Sequence, residues 1–234
     1  MHRPVRPERR TLFTRCPMIR SSLPALSRRQ LLWLALAALP MLCMAAWRVP
    51  LPSAYGGLGS AQWHTLLEIA SMLVCGAIAG VAWNGRGQAI PRSVHVLGVA
   101  CAGALALDLA HTLSFPGLAD LVSPNTSTKA AALFMASRLL IALALLGVAA
   151  LPWRLDAAPR GLRWVPLGVA AYVVAITVWA VGAPQTLPPL VIDGVELTFA
   201  KRATECLIAL LFLAAGLLFL RRLATPQPFD TGSL

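Results

Sequence analysis

Acidic residues are scarce in this chain. Nine Asp and Glu stand against twenty Lys and Arg in 234 residues, and charged residues together make up only 12%. An ordinary soluble domain carries about a quarter charged residues, so a fully solvated, charged surface is excluded. Cysteines are few and unorganised. Cys43, Cys75, Cys101 and Cys206 fall inside apolar runs and Cys16 in a basic leader, with no CxxC spacing, which excludes a disulfide framework and leaves them as small packing residues. No stretch alternates with period two over ten residues, so membrane barrel strands are excluded as well. There is no internal repeat and no glycine-rich phosphate loop.

What is present is apolar length. Hydrophobic residues make up 58% of the chain and the mean hydropathy is +0.71. Six apolar runs stand out, at 31–47, 63–83, 94–115, 130–153, 162–181 and 198–220. Each is near the ~20 residues a helix needs to cross ~30 Å of hydrocarbon. The first is the shortest, and Pro40 interrupts it. The expected fold is all-α: a polytopic membrane bundle of about six helices.

Basic residues set the expected orientation. Eight arginines precede the first run. Arg86 and Arg92 lie between runs two and three, Arg154, Arg160 and Arg163 between four and five, and Arg221 and Arg222 after six. The alternate loops hold only Arg48 and Lys129. This alternation follows the positive-inside rule and places both termini in the cytoplasm. It also accounts for the net charge of +11 without nucleic acid; the partner implied is the lipid bilayer.

The expected organisation is a basic, disordered cytoplasmic leader over 1–30, a six-helix membrane domain over 31–220, and a short polar tail over 221–234. The leader followed by "CMAAW" also resembles a signal peptide, but the run at 31–47 is longer than most such segments and reads as an anchor. The outer loops are short and rich in turn formers, as in "SAYGGLGS", "SPNTS" and "GAPQTLPP".

Seven polar residues interrupt the runs: His64, Glu68, Asp108, His111, Arg138, Lys201 and Glu205. Charges inside membrane segments face the protein interior or water, pair with one another and mark function. With the orientation above, all seven fall in the outer half of the membrane; Arg138 is the deepest, about 12 Å into its helix. His64/Glu68 and Lys201/Glu205 are i,i+4 pairs and Asp108/His111 is i,i+3, so each pair shares a helix face. Three such faces plus Arg138 predict one outward-facing polar cluster, negative by one charge when its histidines are neutral.

Plainer roles exist for each residue. Glu68–Lys201 and Asp108–Arg138 are candidate structural ion pairs, Lys201–Glu205 a candidate headgroup pair, and His64 and His95 candidate interfacial residues. Trp47, Trp63, Trp83 and Trp153 fall at run ends as aromatic-belt anchors. His64, Glu68, Asp108 and His111 together form a donor set that suits several first-row metals, and haem is a further candidate cofactor.

Four segments in order, "WHTLLEIASMLV", "LDLAHTLSFPG", "NTSTKAAALFMASRLL" and "LTFAKRATECLIALLFL", resemble the third membrane-associated sensor (MASE) family, bacterial multi-helix input modules usually fused to histidine kinase, PAS or diguanylate cyclase domains. The resemblance covers residues 62–220. It implies that His64, Glu68, Asp108, His111, Thr112, Arg138, Lys201 and Glu205 occupy the family's marked positions. Phe115-Pro116-Gly117-Leu118, Phe134, Glu196 and Ala200 depart from its pattern. The chain as given is expected to be a stand-alone copy without an output domain, working through a separate histidine kinase, a cyclic-di-GMP signalling protein or self-association.

The expected function is non-enzymatic: a sensory input module that binds a small ligand, ion or metal at the polar cluster and signals by helix repacking. The rival expectations are a small transporter or proton-coupled carrier, and a haem- or metal-binding membrane redox protein.

Overall fold

A computed structural model describes residues 60–87, 91–120, 122–150, 164–192 and 196–223. Five long helices hold most of them: α1 (Ser60–Asn84), α2 (Arg92–Leu113), α3 (Ser127–Ala150), α4 (Trp164–Gly182) and α5 (Phe199–Leu223). Each is long and apolar enough to cross a membrane, and they match the second to sixth apolar runs to within a few residues at each end. The run at 31–47, the leader and residues 224–234 lie outside the described residues.

In hydrocarbon a backbone must satisfy its own hydrogen bonds, which is why uninterrupted apolar sequence becomes helix. Polar punctuation sets the ends. Thr126 precedes α3 and Thr198 precedes α5, and each hydroxyl accepts the backbone N–H three residues on, from Lys129 (3.1 Å) and Lys201 (3.3 Å), the geometry of an N-cap. At the end of α1 the Asn84 amide donates to the Gly80 carbonyl and Arg86 Nε to that of Trp83, satisfying carbonyls the helix leaves open. Past α2 the chain turns through Phe115-Pro116-Gly117-Leu118, with the Leu118 N–H donating to the Phe115 carbonyl (3.2 Å) and Gly117 at φ +99°. Proline second and a positive-φ glycine third fit a type II turn.

One departure from an all-helical reading is a two-stranded antiparallel ribbon between α4 and α5, β1 (Val191–Ile192) paired with β2 (Glu196–Leu197). It sits over the start of α3, where the Thr128 hydroxyl donates to the Val191 carbonyl (3.4 Å).

Burial sorts the helices. The most apolar stretches of α2 and α3 are 44% and 39% buried, against 11%, 6% and 11% for α1, α4 and α5. The first two form the centre; α1 packs on α2, α5 on α3, and α4 against both. Small residues allow the close approach expected between membrane helices. A Cβ on Gly98 would collide with Ala82 of α1, and one on Gly103 would lie 2.5 Å from Val169 of α4 and 2.9 Å from Leu140 of α3. The Tyr172 hydroxyl ties α4 to the Ala136 carbonyl of α3 (3.0 Å). Outward faces are apolar, with Leu67, Leu73, Val81, Val178 and Leu210 all exposed. Apolar surface on that scale needs lipid or protein to cover it. An apolar cleft of about 840 Å³ opens between α1, α2 and α4, with Trp83, Arg86 and His95 at one end.

Candidate functional site

The start of α1, the end of α2 and the start of α3 meet at one end of the bundle, and the polar residues meet there too. Glu68, Asp108 and His111 are buried, His64 is partly exposed, and the Arg138 side chain is 25% exposed.

Arg138 is the centre of one half. Its Nη2 stands 3.4 Å from Oε2 of Glu68 on α1 and 3.5 Å from Oδ2 of Asp108 on α2. One guanidinium nitrogen therefore holds two carboxylates from two other helices. The guanidinium also lies over the Phe134 ring, 4.7 Å from its centroid, a cation–π contact that supports the long side chain one turn along α3. Asp108 is wholly buried and its carboxylate accepts no hydrogen bond among the described residues. Its charge is compensated by the guanidinium, since an isolated carboxylate away from water is prohibitively costly.

The histidines make the other half. Nδ1 of His111 lies 2.7 Å from the Ala130 carbonyl oxygen. A carbonyl can only accept, so Nδ1 carries the hydrogen, and in the neutral ring Nε2 presents its lone pair. That lone pair is 3.4 Å from Nε2 of His64. The two rings meet edge to face, and Phe115 and Phe134 flank them. One ligand atom each from His64, Glu68 and His111 lies within 4.8 Å of the other two, the group among the described residues with the makings of a metal site.

Five of the seven sequence candidates are thus brought together: His64, Glu68, Asp108, His111 and Arg138. Asp108 faces Arg138, apart from the three-residue donor group. Lys201 and Glu205 stay on α5, where Nζ and Oε1 are 3.6 Å apart; they pair with each other, with no ion pair to Glu68 or Asp108, because α5 packs on α3 and away from α1 and α2. The Glu68–Lys201 pair weighed from sequence therefore does not form, and the Asp108–Arg138 pair does.

Lys129 was missed. It is buried, and its Nζ donates to the Ser123 carbonyl, the Ser123 hydroxyl and the Asn125 side-chain oxygen, each at 3.1 Å. Three donors meet three acceptors, which secures Ser123 and Asn125 to the first turn of α3, next to the carbonyl that orients His111. A lysine at the end of an apolar run reads as interfacial; only the polar "SPNTS" before it hinted at a cage of acceptors. Ser137, buried and directed at the Ala104 carbonyl (3.4 Å), was likewise invisible among small residues.

A family model described as a membrane-associated sensor domain matches residues 60–233. No curated protein and no solved structure matches the chain.

Proposed function

Because this chain belongs to the membrane-associated sensor domain family and is a multi-pass membrane protein with five membrane-crossing helices among its described residues, we propose that it is a non-enzymatic sensory input module of the bacterial inner membrane. Its termini face the cytoplasm, and the polar cluster, opening outward, receives a small ligand or ion. The observation that carries this reading is the shared guanidinium: Arg138 of α3 holds Glu68 of α1 and Asp108 of α2 at once. A ligand that competes for one of those carboxylates changes which helices are tied together.

The start of α3 supplies the route onward. It meets the ribbon through Thr128 and Val191, and Met135 and Ala142 of α3 pack with Leu190, which precedes β1, and with Ile208 of α5. At the far end the Arg222 guanidinium donates to the Val148 carbonyl (3.4 Å), so α5 follows α3 along its length. Signalling needs only that the ligand bind one helix arrangement more tightly than the other. The receiver is a separate histidine kinase, a cyclic-di-GMP signalling protein or a second copy of the chain.

Spin labels at Asn84→Cys and Leu220→Cys, in a background without native cysteines, test this without any ligand. Breaking the tie with Glu68→Gln should shift the label-to-label distance by about 1–2 Å, the scale of helix shifts in switching proteins. An unchanged distance in folded Glu68→Gln and Arg138→Gln proteins would make the cluster a static lock and sink the sensory reading.

A further inference from the structure

We infer that the ligand is a first-row transition-metal ion of zinc-like preference, held by Nε2 of His64, Nε2 of His111 and the Glu68 carboxylate. The site stands on the geometry of these three side chains; its signalling consequence rests on the sensory reading above.

Three features point to an ion. A tetrahedral centre with metal–nitrogen bonds of about 2.0–2.1 Å holds two imidazole nitrogens roughly 3.3–3.4 Å apart. The His64 and His111 Nε2 atoms already stand 3.4 Å apart. Second, His111 is built as a ligand. Its Nδ1–H is committed to the Ala130 carbonyl at 2.7 Å, and metal-binding histidines characteristically donate their other ring N–H to a carbonyl or carboxylate, which fixes the tautomer and the ring direction. Third, Glu68 brings a carboxylate oxygen to the pair: one ligand atom each from His64, Glu68 and His111 lies within 4.8 Å of the other two, so small side-chain movements close three donors on an ion. Two imidazoles and one carboxylate with a fourth position left to water is a recurrent zinc donor set, and hard cations that prefer all-oxygen shells are disfavoured by it.

The charges fit. Glu68, Asp108 and Arg138 sum to one negative charge, and a divalent ion adds two positive ones beside two carboxylates. The ion takes Glu68 as a ligand and competes with Arg138 for it, while Asp108 keeps the guanidinium. Binding therefore exchanges an α1–α3 tie, Glu68–Arg138, for an α1–α2 tie, Glu68 and His64 with His111. That exchange is the differential contact a switch requires.

Cobalt(II) titration of the full-length protein in detergent tests the site, because tetrahedral Co²⁺ has intense visible bands that octahedral Co²⁺ lacks. One Co²⁺ per chain with a tetrahedral spectrum, displaced by Zn²⁺, is the expected result. His64→Gln at the exposed rim, Glu68→Gln and His111→Asn should each weaken binding by more than the roughly 10–100-fold that loss of an outer-shell partner costs. His111→Asn keeps an N–H where Nδ1 stood, so a misfolded protein is not the expected reason for lost binding; Tyr172→Phe should bind as the unaltered chain does. A weak octahedral spectrum, or binding that ignores all three substitutions, overturns the proposal, and so does a haem Soret band in the purified protein. Tight tetrahedral binding that leaves the Asn84→Cys to Leu220→Cys distance unmoved supports the site and removes its signalling role. A distance that moves on Glu68→Gln without any Co²⁺ binding keeps the sensory reading and removes the metal.

Discussion

Nδ1 of His111 lies 2.7 Å from the carbonyl oxygen of Ala130, across the contact between α2 and α3. That carbonyl sits in the first turn of α3, so the orientation of a site residue on α2 is set by its neighbour helix. The cluster's chemistry and the packing of its helices are one arrangement.

A direct consequence concerns His111 itself. Asparagine places an amide N–H close to the position of Nδ1, whereas alanine places nothing there. The His111→Asn protein should be more stable than His111→Ala by about 0.5–1.5 kcal/mol, the usual net worth of a hydrogen bond, measured by reversible denaturation in mixed micelles. Equal stabilities would mean that the bond does not hold the ring.

Arg138 and Asp108 should behave as a coupled pair. Removing the guanidinium leaves a wholly buried carboxylate uncompensated, and breaking such a pair from one side costs about 3–5 kcal/mol. Arg138→Gln should lose stability on that scale. Adding Asp108→Asn should recover part of it, and the double-mutant cycle should give a coupling of more than about 0.5 kcal/mol. Additive losses would assign Arg138 a role in packing alone.

Packing makes its own prediction at two glycines. Gly103→Ala forces a methyl to within 2.5 Å of Val169 and 2.9 Å of Leu140, and overpacking of this kind costs about 1–3 kcal/mol. Gly147 has nothing within 4 Å of the added carbon, so Gly147→Ala should be neutral or gain up to about 1 kcal/mol of helix propensity. A thermal-shift comparison of the two variants decides it; a stable Gly103→Ala protein would show that α2 has room against α3 and α4.

The orientation can be read from two amines. The chain has only two lysines, Lys129 and Lys201, both at the end of the bundle that holds the cluster. Lys129 is 2% exposed with all three donors engaged, while the Lys201 side chain is 18% exposed. A membrane-impermeant amine reagent applied to intact cells should modify Lys201, and Lys129 only after unfolding, as read by peptide mass spectrometry. Modification of Lys201 only in inverted vesicles would turn the proposed topology over.

The helices were legible because the signal is coarse: some twenty consecutive apolar residues in lipid have few alternatives to a helix. His64 with Glu68 and Asp108 with His111 were legible as shared faces because helical spacing fixes azimuth. What spacing cannot supply is which neighbour each face meets. Asp108 turned to Arg138 while His111, on the same face, turned to His64, and Lys201 with Glu205 stayed on a helix that packs elsewhere. Lys129 drew no reading because burial of a lysine depends on the acceptors that fold back onto it, here Ser123 and Asn125. The ribbon of β1 and β2 was unreadable because two residues per strand carry no period.

All five clustered residues lie between His64 and Arg138, on α1 to α3, whereas the helix proposed to carry the response, α5, begins at Phe199 and touches none of them through an ion pair. On the proposed reading, recognition and response are separable along the chain. New ligand preferences can arise by exchange within α1 and α2 while the α3–α5 seam stays as it is. For an engineer the same partition marks where to cut: grafting another recognition half onto this seam would keep its output, provided Ala130 and Thr128 are left in place to orient the graft and to hold the ribbon.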